Sequence, residues 1–278
     1  MKFPRLIKSL SEMSEISKRM IRPTGLIPTM GFLHAGHLSL VKAAGKNCKT
    51  KIVSIYVNPT QFGTGEDLGK YPRDLEQDLR KLAELDVDFV FSPSDLEMYP
   101  PGFKTWISVN EITTILCGRS RPTHFRGVTT VVSKLINIID PDLVYMGEKD
   151  FQQLIVLRQM VKDLNFRARI IGCPLVREPD GLAMSSRNKY LTDSNRKKAL
   201  CLYRALQKAK IMFIDGITDF KQVKTEMIKI VDKANGRIDY IEAVDPVSLK
   251  SVTILATAVR ILIAVYIDNT RLIDNIAL

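Results

Sequence analysis

The sequence predicts an α/β protein, with a Rossmann-like parallel sheet in its N-terminal part and a smaller α+β domain at its C-terminal end. Through the first part, short apolar runs alternate with helical patterns, and strand, helix, strand in succession implies parallel pairing. Farther along, two helical patterns come first and two strand-like runs follow them. With 278 residues the chain can bury a full core and is long for one simple domain. We therefore expect two domains, residues 1–175 and residues 176–278.

The individual elements follow from residue patterns taken in chain order. Apolar residues at helical spacing predict helices over 9–20, 37–46, 74–85, 128–139 and 151–164. Short apolar runs predict strands over 25–27, 51–57, 88–91, 106–109, 143–146 and 167–171. In the second domain we expect helices over 193–214 and 219–234, and strands over 238–244 and 260–267.

Composition and hydropathy exclude several classes of protein. Hydrophobic residues make up 45% of the chain and charged residues 26%, as is ordinary for a soluble globular protein. No apolar run approaches the roughly 20 residues that a membrane helix needs, and charges interrupt residues 3–8, where a signal peptide would be apolar. Four scattered cysteines fit free thiols better than a disulfide framework. A cytoplasmic protein with no membrane partner is expected.

The chain is basic, with 41 Lys and Arg against 30 Asp and Glu, so that its net charge is 41 − 30 = +11. Such an excess fits nucleic acid, an anionic small substrate or merely a basic proteome, and charge alone does not choose among them. The longest local excess, Arg196 to Lys198, lies within a predicted helix, where a solvated face is the expected role. No basic patch is interleaved with aromatic residues, so a nucleic-acid partner is not expected.

The turn from Pro28 to His37 follows the first buried strand and leads into a predicted helix. Its glycines sit where free N–H groups and the helix dipole favour an anion such as phosphate. His34 and His37, three residues apart, could both donate hydrogen bonds to phosphate oxygens. Half of a zinc site is disfavoured, because His124 is the one other histidine and no cysteines have C-x-x-C spacing. A purely structural role, capping and packing the helix start, stays open from this segment alone.

Polar side chains also follow other predicted strands. Gln61 comes directly after the strand at 51–57, and the glycine-rich residues 63–70 behind it read as a mobile loop or lid, or as a plain surface loop. Arginines and His124 cluster between 119 and 126 before a helix, which suits an anion or a solvated loop. Gly147 to Asp150 follows the strand at 143–146, so polar chemistry repeats at one edge of the expected sheet.

Four separated motifs, in order, carry a family resemblance. They are Pro28-Thr29-Met30-Gly31 with His34, Gly36 and His37; Asn58-Pro59-Thr60-Gln61-Phe62; Gly147-Glu148-Lys149-Asp150-Phe151-Gln152-Gln153; and Met184-Ser185-Ser186-Arg187-Asn188. The set closely resembles the pantothenate synthetase (pantoate–β-alanine ligase) family of the H-x-G-H nucleotidyltransferases. The resemblance implies that pantoate and ATP, with Mg²⁺, give pantoyl adenylate and pyrophosphate, after which β-alanine gives pantothenate and AMP. It also implies a homodimer and a nucleotide- and pantoate-binding first domain. Because Ser185, Ser186 and Arg187 follow the expected boundary but are needed at the phosphates, we predict that the second domain acts as a lid.

The resemblance also assigns roles by matching position. His37, His34, Lys149 and Arg187 are implied to be catalytic. ATP is implied to contact the two histidines, Lys149 and Arg187 together with Met30, Gly31, Gly36, Gly147, Glu148, Asp150, Val176, Met184, Ser185 and Ser186. The acid substrate is implied to contact Gln61, Gln153 and Arg121. The family pattern leads us to expect glycine where this chain has Thr123. Asp78 could help to hold magnesium or be a helix-surface carboxylate.

Two other functions compete with this reading. An adenylyltransferase of the same superfamily would stop after nucleotide transfer to a phosphorylated cofactor precursor, but paired glutamines favour a small hydroxy acid over a phosphate ester. A nucleic-acid-binding module would use the +11 charge, but the chain carries no recognised RNA-binding signature. An ATP-dependent ligase is therefore the expected function.

Overall fold

A computed structural model describes residues 2–278 of the chain. Within that range the chain forms two β-sheets. The strands are β1 (Arg5–Ile7), β2 (Thr24–Thr29), β3 (Thr50–Ile55), β4 (Phe89–Phe91), β5 (Leu143–Gly147), β6 (Arg169–Cys173), β7 (Arg237–Val244), β8 (Arg260–Ile267) and β9 (Thr270–Ala277).

Helices connect and cover these strands. The α-helices are α1 (Leu10–Ser17), α2 (Ala35–Gly45), α3 (Leu75–Ala83), α4 (Asp95–Met98), α5 (Cys117–Ser120), α6 (His124–Ile139), α7 (Phe151–Asp163), α8 (Asp193–Ile214) and α9 (Phe220–Lys233). Short 3₁₀ turns span Pro59–Gln61, Asp67–Lys70, Glu148–Asp150 and Ser186–Tyr190. No helix within residues 2–278 has the length and apolar character to cross a membrane.

The first six strands form one parallel sheet in the order β1-β4-β3-β2-β5-β6. Its strands are apolar on both sides, because α1, α6 and α7 pack on one face and α2 and α3 on the other. The chain turns from β2 to β3 on one side and later adds β5 on the other side of β2. A crevice forms outside the carboxyl ends of the strands at such a switch point, and there the candidate site lies.

The last three strands form an antiparallel sheet in the order β7-β8-β9, and α8 and α9 cover it. Val244, Leu249 and Leu262 also pack into the core of the parallel sheet, so the two sheets share apolar contacts. The predicted fold class, a parallel α/β domain followed by a smaller α+β domain, is confirmed. The boundary at residues 175 and 176 stays a prediction.

The structure differs from the sequence-based expectations at one predicted strand, at two strands that were not predicted and at the start of one helix. Residues 106–109 form no strand, since the Ile107 N–H donates to Thr130 Oγ1 at 3.0 Å and its carbonyl accepts from Thr129 Oγ1, which seats the segment on α6. Neither β1 nor β9 was predicted, because β1 is three residues long and β9 carries Asp274 and Asn275 among its apolar residues. The helix expected to start at 128 begins at His124 instead.

Candidate active site

A cleft lies at the carboxyl ends of β2, β3 and β5, between the parallel sheet and the segment that follows β6. Most of the site residues predicted from the sequence line this cleft. They are Met30, His34, Gly36, His37, Gln61, Arg121, Gly147, Lys149, Asp150, Gln153, Val176, Met184, Ser185, Ser186 and Arg187. A second, smaller cavity adjoins it, shares Lys149, Gln153 and Arg187, and extends toward β8 and β9. Residues of the C-terminal sheet therefore line a cavity that adjoins the cleft.

Two of the singled-out residues do not line this cleft. Gly31 has φ +79°, and a Cβ there would lie 2.9 Å from Ile55 Cγ2, so this glycine shapes the turn rather than presenting a side chain. The Glu148 carboxylate accepts from Arg260 Nη2 at 3.1 Å, and its carbonyl oxygen accepts from Asn275 Nδ2 at 2.9 Å. Glu148 thus joins the turn after β5 to the C-terminal sheet.

Asp78 holds the turn that precedes α2. Its side chain accepts from the backbone N–H groups of Phe32 at 2.8 Å and Leu33 at 2.7 Å, and the residue is 1% exposed. Phe32, with φ 51°, lies in the left-handed region, so the two bonds fix an unusual backbone conformation. Burial raises the pKa of Asp78, although both N–H donors oppose the change. The expected helix-surface role was wrong, since the carboxylate is buried against the turn.

The two histidines are oriented by a reciprocal cap at the start of α2. His34 Nδ1 accepts from the Gly36 N–H at 3.1 Å, and His37 Nδ1 accepts from the His34 N–H at 3.4 Å. Because each Nδ1 is an acceptor, a neutral ring carries its proton on Nε2. A side chain on Gly36 would put Cβ 2.9 Å from His34 Nδ1, so the cap requires glycine. The histidines both cap the helix and line the cleft.

Burial keeps both histidines uncharged. The rings stack with centroids 4.0 Å apart. Desolvation, and then the charge of Lys149, lowers the pKa of His34 to about 4. Desolvation, His34 and Lys149 lower the pKa of His37 well below its usual value. Two neutral Nε2–H donors therefore stand at the positive end of a helix dipole, an arrangement that favours a bound anion.

Lys149 lies in the 3₁₀ turn Glu148–Asp150, directly after β5, and its Nζ is 3.6 Å from Asp150 Oδ2. Asn275 of β9 donates from Nδ2 to the carbonyl oxygens of Glu148 and Lys149, at 2.9 and 3.0 Å. The C-terminal sheet therefore fixes the backbone that carries this cation in the cleft.

Both cleft arginines are paired with carboxylates of the glycine-rich segment 63–70. Arg187 donates from Nε and Nη2 to the two Asp67 carboxylate oxygens at 2.9 and 2.8 Å. Arg121 donates from Nε and Nη2 to the two Glu66 oxygens at 2.8 and 2.6 Å. Tyr190 also donates to the Lys70 carbonyl at 3.2 Å. The segment expected to be a mobile loop is thus tethered by ion pairs in this structure.

Gln61 is held by Asn58, which belongs to the same sequence motif but was assigned no role from the sequence. Asn58 is 1% exposed, and its Nδ2 donates to Gln61 Oε1 at 3.2 Å and to the Gly127 carbonyl at 3.1 Å. Gly127 allows this approach, because a Cβ there would lie 2.5 Å from the Thr60 carbonyl oxygen. The position of Asn58 in the sequence could have indicated this role, because Asn58, like Gln61, follows a buried strand.

His124 is a second residue whose contact was not foreseen. It is 8% exposed, its Nδ1 lies 2.9 Å from the Gln61 carbonyl oxygen, and burial, followed by the charge of Arg121, lowers its pKa to about 3. The neighbouring Thr123 has φ −94° and is exposed. Glycine is not needed there, so threonine in its place leaves the loop geometry unstrained.

Comparison with known proteins gives a consistent set of relatives. The family model described as pantoate-beta-alanine ligase matches residues 5–277. A pantothenate synthetase of a Sulfurihydrogenibium species is 53% identical over 93% of each chain, and one of Thermosipho africanus is 51% identical over 98% of this chain and 99% of its own. The crystal structure of pantothenate synthetase from Thermus thermophilus superposes with a TM-score of 0.92 at 41% identity, covering 98% of this chain and 99% of its own.

A further solved relative was crystallised with ligands. It is a pantoate-beta-alanine ligase from Francisella tularensis, described as complexed with beta-gamma ATP and beta-alanine. Its TM-score is 0.84 and its identity 38%, covering 99% of this chain and 97% of its own. The likeness therefore extends over both sheets and over the segments that line the cleft.

Proposed function

The chain belongs to the pantoate–β-alanine ligase family, and on that premise we propose that it joins pantoate to β-alanine with the use of ATP. In the first step the pantoate carboxylate attacks the α-phosphorus, the bond to pyrophosphate breaks, and pantoyl adenylate forms. In the second step the β-alanine amine attacks the acyl carbon, AMP leaves, and pantothenate is released after loss of a proton. No covalent bond to the protein is required.

The observation that carries this proposal is the pair of neutral imidazoles at the start of α2. A carboxylate that attacks a polyphosphate meets repulsion, and donors already aimed at the phosphate lower that barrier without reorganisation. Lys149 and Arg187 add positive charge on other sides of the same cleft. We assign the transfer of the adenylyl group to this set, with His37 as the principal donor.

The acid is assigned to the side of the cleft that α6 covers. Gln61 and Gln153 supply amides that can donate to a carboxylate and accept from a hydroxyl. The same part of the cleft is also lined by apolar side chains, namely Val128, Val131, Val132, Leu135 and Met146. A branched apolar carbon between polar ends, as in pantoate, fits such a lining.

Magnesium is expected to arrive with ATP. No group of three His, Cys, Asp or Glu side chains within residues 2–278 is arranged to hold an ion, and Asp78, considered from the sequence, is occupied by two N–H donors. A cation that accompanies the nucleotide would therefore be held mainly by phosphate oxygens and water, as Mg²⁺ commonly is.

A homodimer is also proposed, and residues 106–109 support it. Their sequence is typical of a strand, yet the backbone groups of Trp106 and Ser108 form no hydrogen bond within the described part of the chain, and Trp106 is 39% exposed. Unpaired strand-like backbone is suited to pairing with a second copy. Sedimentation at several protein concentrations measures this directly. A cytoplasmic location stays a prediction.

The function is tested by incubating the protein with ATP, pantoate and β-alanine, each omitted in turn. Pantothenate, AMP and pyrophosphate should form together only in the complete mixture. Pantoate with ATP alone should support exchange of labelled pyrophosphate into ATP, because adenylation precedes the amine. Formation of ADP, or exchange that requires β-alanine, would contradict the adenylate route.

A further inference from the structure

Ser54 is a buried hydroxyl of the cleft that the roles above leave unused. It lies near the carboxyl end of β3, is 1% exposed, and lines the cleft. Its Oγ has no hydrogen-bond partner within residues 2–278, although its carbonyl oxygen accepts from Thr29 Oγ1 at 2.8 Å. Leaving a buried hydroxyl unpaired costs about as much as losing a hydrogen bond, so such an atom beside a cleft indicates a ligand.

Strand alternation puts the Ser54 side chain on the α6 face of the sheet. Ile52 and Tyr56, two residues away on either side, pack with α6, whereas Val53 and Ile55 pack under α2. The capped histidines belong to α2 and stand at the strand ends. A molecule that contacts both the histidines and Ser54 must therefore extend across the sheet edge toward α6.

The surroundings make a single hydroxyl selective. On the α6 side the cleft is lined by valine, leucine and methionine side chains, and its amides come from Asn58, Gln61 and Gln153. In an apolar lining, a buried polar group discriminates strongly against an analogue that lacks its partner, because the group is then left unpaired. Ser54 Oγ can both donate and accept, which matches a substrate hydroxyl.

We propose that Ser54 is a specificity-determining residue that hydrogen-bonds the pantoate hydroxyl farther from the carboxylate. This inference rests on the proposed function. The carboxylate has to meet the α-phosphate beside the histidines, and that requirement directs the opposite end of the acid across the strand ends toward the α6 face. Ser54 then supplies the hydrogen bond that its own Oγ lacks within the protein.

The test measures Ser54→Ala with pantoate and with 2-hydroxy-3,3-dimethylbutanoate, which lacks the far hydroxyl. The variant should raise KM for pantoate about five- to ten-fold, as expected for one neutral hydrogen bond, with kcat and KM for ATP little changed. The deoxy acid should be a poor substrate for the unaltered protein and no poorer for Ser54→Ala. The substitution should therefore remove the discrimination between the two acids.

Ser133→Ala is the matched control. Ser133 is likewise 1% exposed, but its Oγ contacts Met160 Sδ at 3.1 Å and it does not line the cleft. Its substitution should leave both acids' KM values unchanged. The ligand-free melting temperature of Ser54→Ala should not fall, since no protein partner is lost.

Two results would overturn the role of Ser54. One is an unchanged KM for pantoate, as expected if the Oγ only binds water. The other is a rise in KM for the deoxy acid as large as the rise for pantoate. That result is expected if the substitution merely disturbs the cleft. If the unaltered protein made no pantothenate from ATP, pantoate and β-alanine, the proposed function would fail instead, so the two failures are distinguishable.

Discussion

Two walls of the cleft carry hydrogen-bond donors suited to anions, but the donors of the two walls are held in different ways. The histidine wall is the turn from Met30 to His37, and its donors are fixed by backbone hydrogen bonds, by Asp78 and by the reciprocal cap. The arginine wall consists of Arg121 and Arg187 with the segment 63–70, whose carboxylates both guanidinium groups already contact. On the proposed function, the histidine wall can receive a phosphate without breaking an existing bond, whereas an arginine of the other wall must first exchange its carboxylate partner.

The two walls differ in what must happen before an anion binds. The donors of the histidine wall are already in place, whereas the guanidinium groups of the arginine wall must give up an ion pair. A neutral donor held by burial loses little on binding, because no existing bond has to break. A guanidinium paired with a carboxylate has its geometry set in advance, but phosphate binding must displace or share that carboxylate. We infer that the histidine wall contributes most to the chemical step. Within the arginine wall, we infer that Arg187 governs closure around the triphosphate and that Arg121 serves the acid.

The largest effect should come from the histidine wall. We predict that His37→Ala lowers the rate of pyrophosphate exchange about 100-fold or more, by analogy with the removal of one preorganised donor, about 2.7 to 4 kcal/mol. The melting temperature and far-ultraviolet circular dichroism should stay close to those of the unaltered protein. A near-normal rate of pyrophosphate exchange in a well-folded variant would contradict the role of His37 as the principal donor.

Two further substitutions at the same position separate the donor from the cap. Gln can place an N–H near the position of Nε2. Asn can place its oxygen near the position of Nδ1, where it accepts from the His34 N–H, but its shorter side chain does not bring an N–H to the position of Nε2. His37→Gln should therefore recover part of the rate and His37→Asn should not. A higher rate in His37→Asn than in His37→Gln would show that the cap, rather than the donor, matters.

An intermediate effect is expected from Arg187. We predict that Arg187→Ala slows adenylate formation about 10- to 100-fold, the loss expected for hydrogen bonds to a charged group. The attack of β-alanine on supplied pantoyl adenylate should change much less, because pyrophosphate has already left. Pyrophosphate exchange and a single-turnover chase with β-alanine measure the two steps separately.

Arg187→Lys is the control for charge without the planar pair of donors. It should restore less than half of the loss if geometry matters more than charge. Equal losses in both half-reactions would instead mean that Arg187 supports folding or domain packing, and the proposal that the second domain closes as a lid would then be wrong.

The histidine wall was predictable from sequence because it is local. Its glycines, both histidines and the start of α2 lie within a few consecutive residues, and their order alone predicts a capped helix end facing an anion. Asp78 was not predictable in its role. It contacts Phe32 and Leu33 across 46 and 45 residues of chain, and helical periodicity says nothing about such a contact.

The arginine wall was only partly predictable for the same physical reason. Arg121 and Arg187 were predicted to be site residues, but their carboxylate partners lie 55 and 120 residues away along the chain and were not predicted. The parallel core was predicted well because each buried strand is apolar on both faces. The C-terminal edge strand β9 was not, since Asp274 and Asn275 interrupt its pattern in order to bind Arg177 and the turn after β5.

The smallest expected effect concerns the ion pair between Arg187 and Asp67, and it tests directly whether the two walls differ. We predict that Asp67→Asn lowers KM for ATP about two- to five-fold, because the Arg187–Asp67 pair is partly exposed and such pairs contribute about 0.2 to 1 kcal/mol. An amide releases the guanidinium more easily than a carboxylate does, so the triphosphate meets less competition for Arg187.

Glu66→Gln is the matched control, because it alters the carboxylate partner of Arg121 in the same way. It should change KM for pantoate and leave KM for ATP unchanged. A higher KM for ATP in Asp67→Asn would mean that the carboxylate aims Arg187 at the phosphates, and the arginine wall would then be preorganised like the histidine wall.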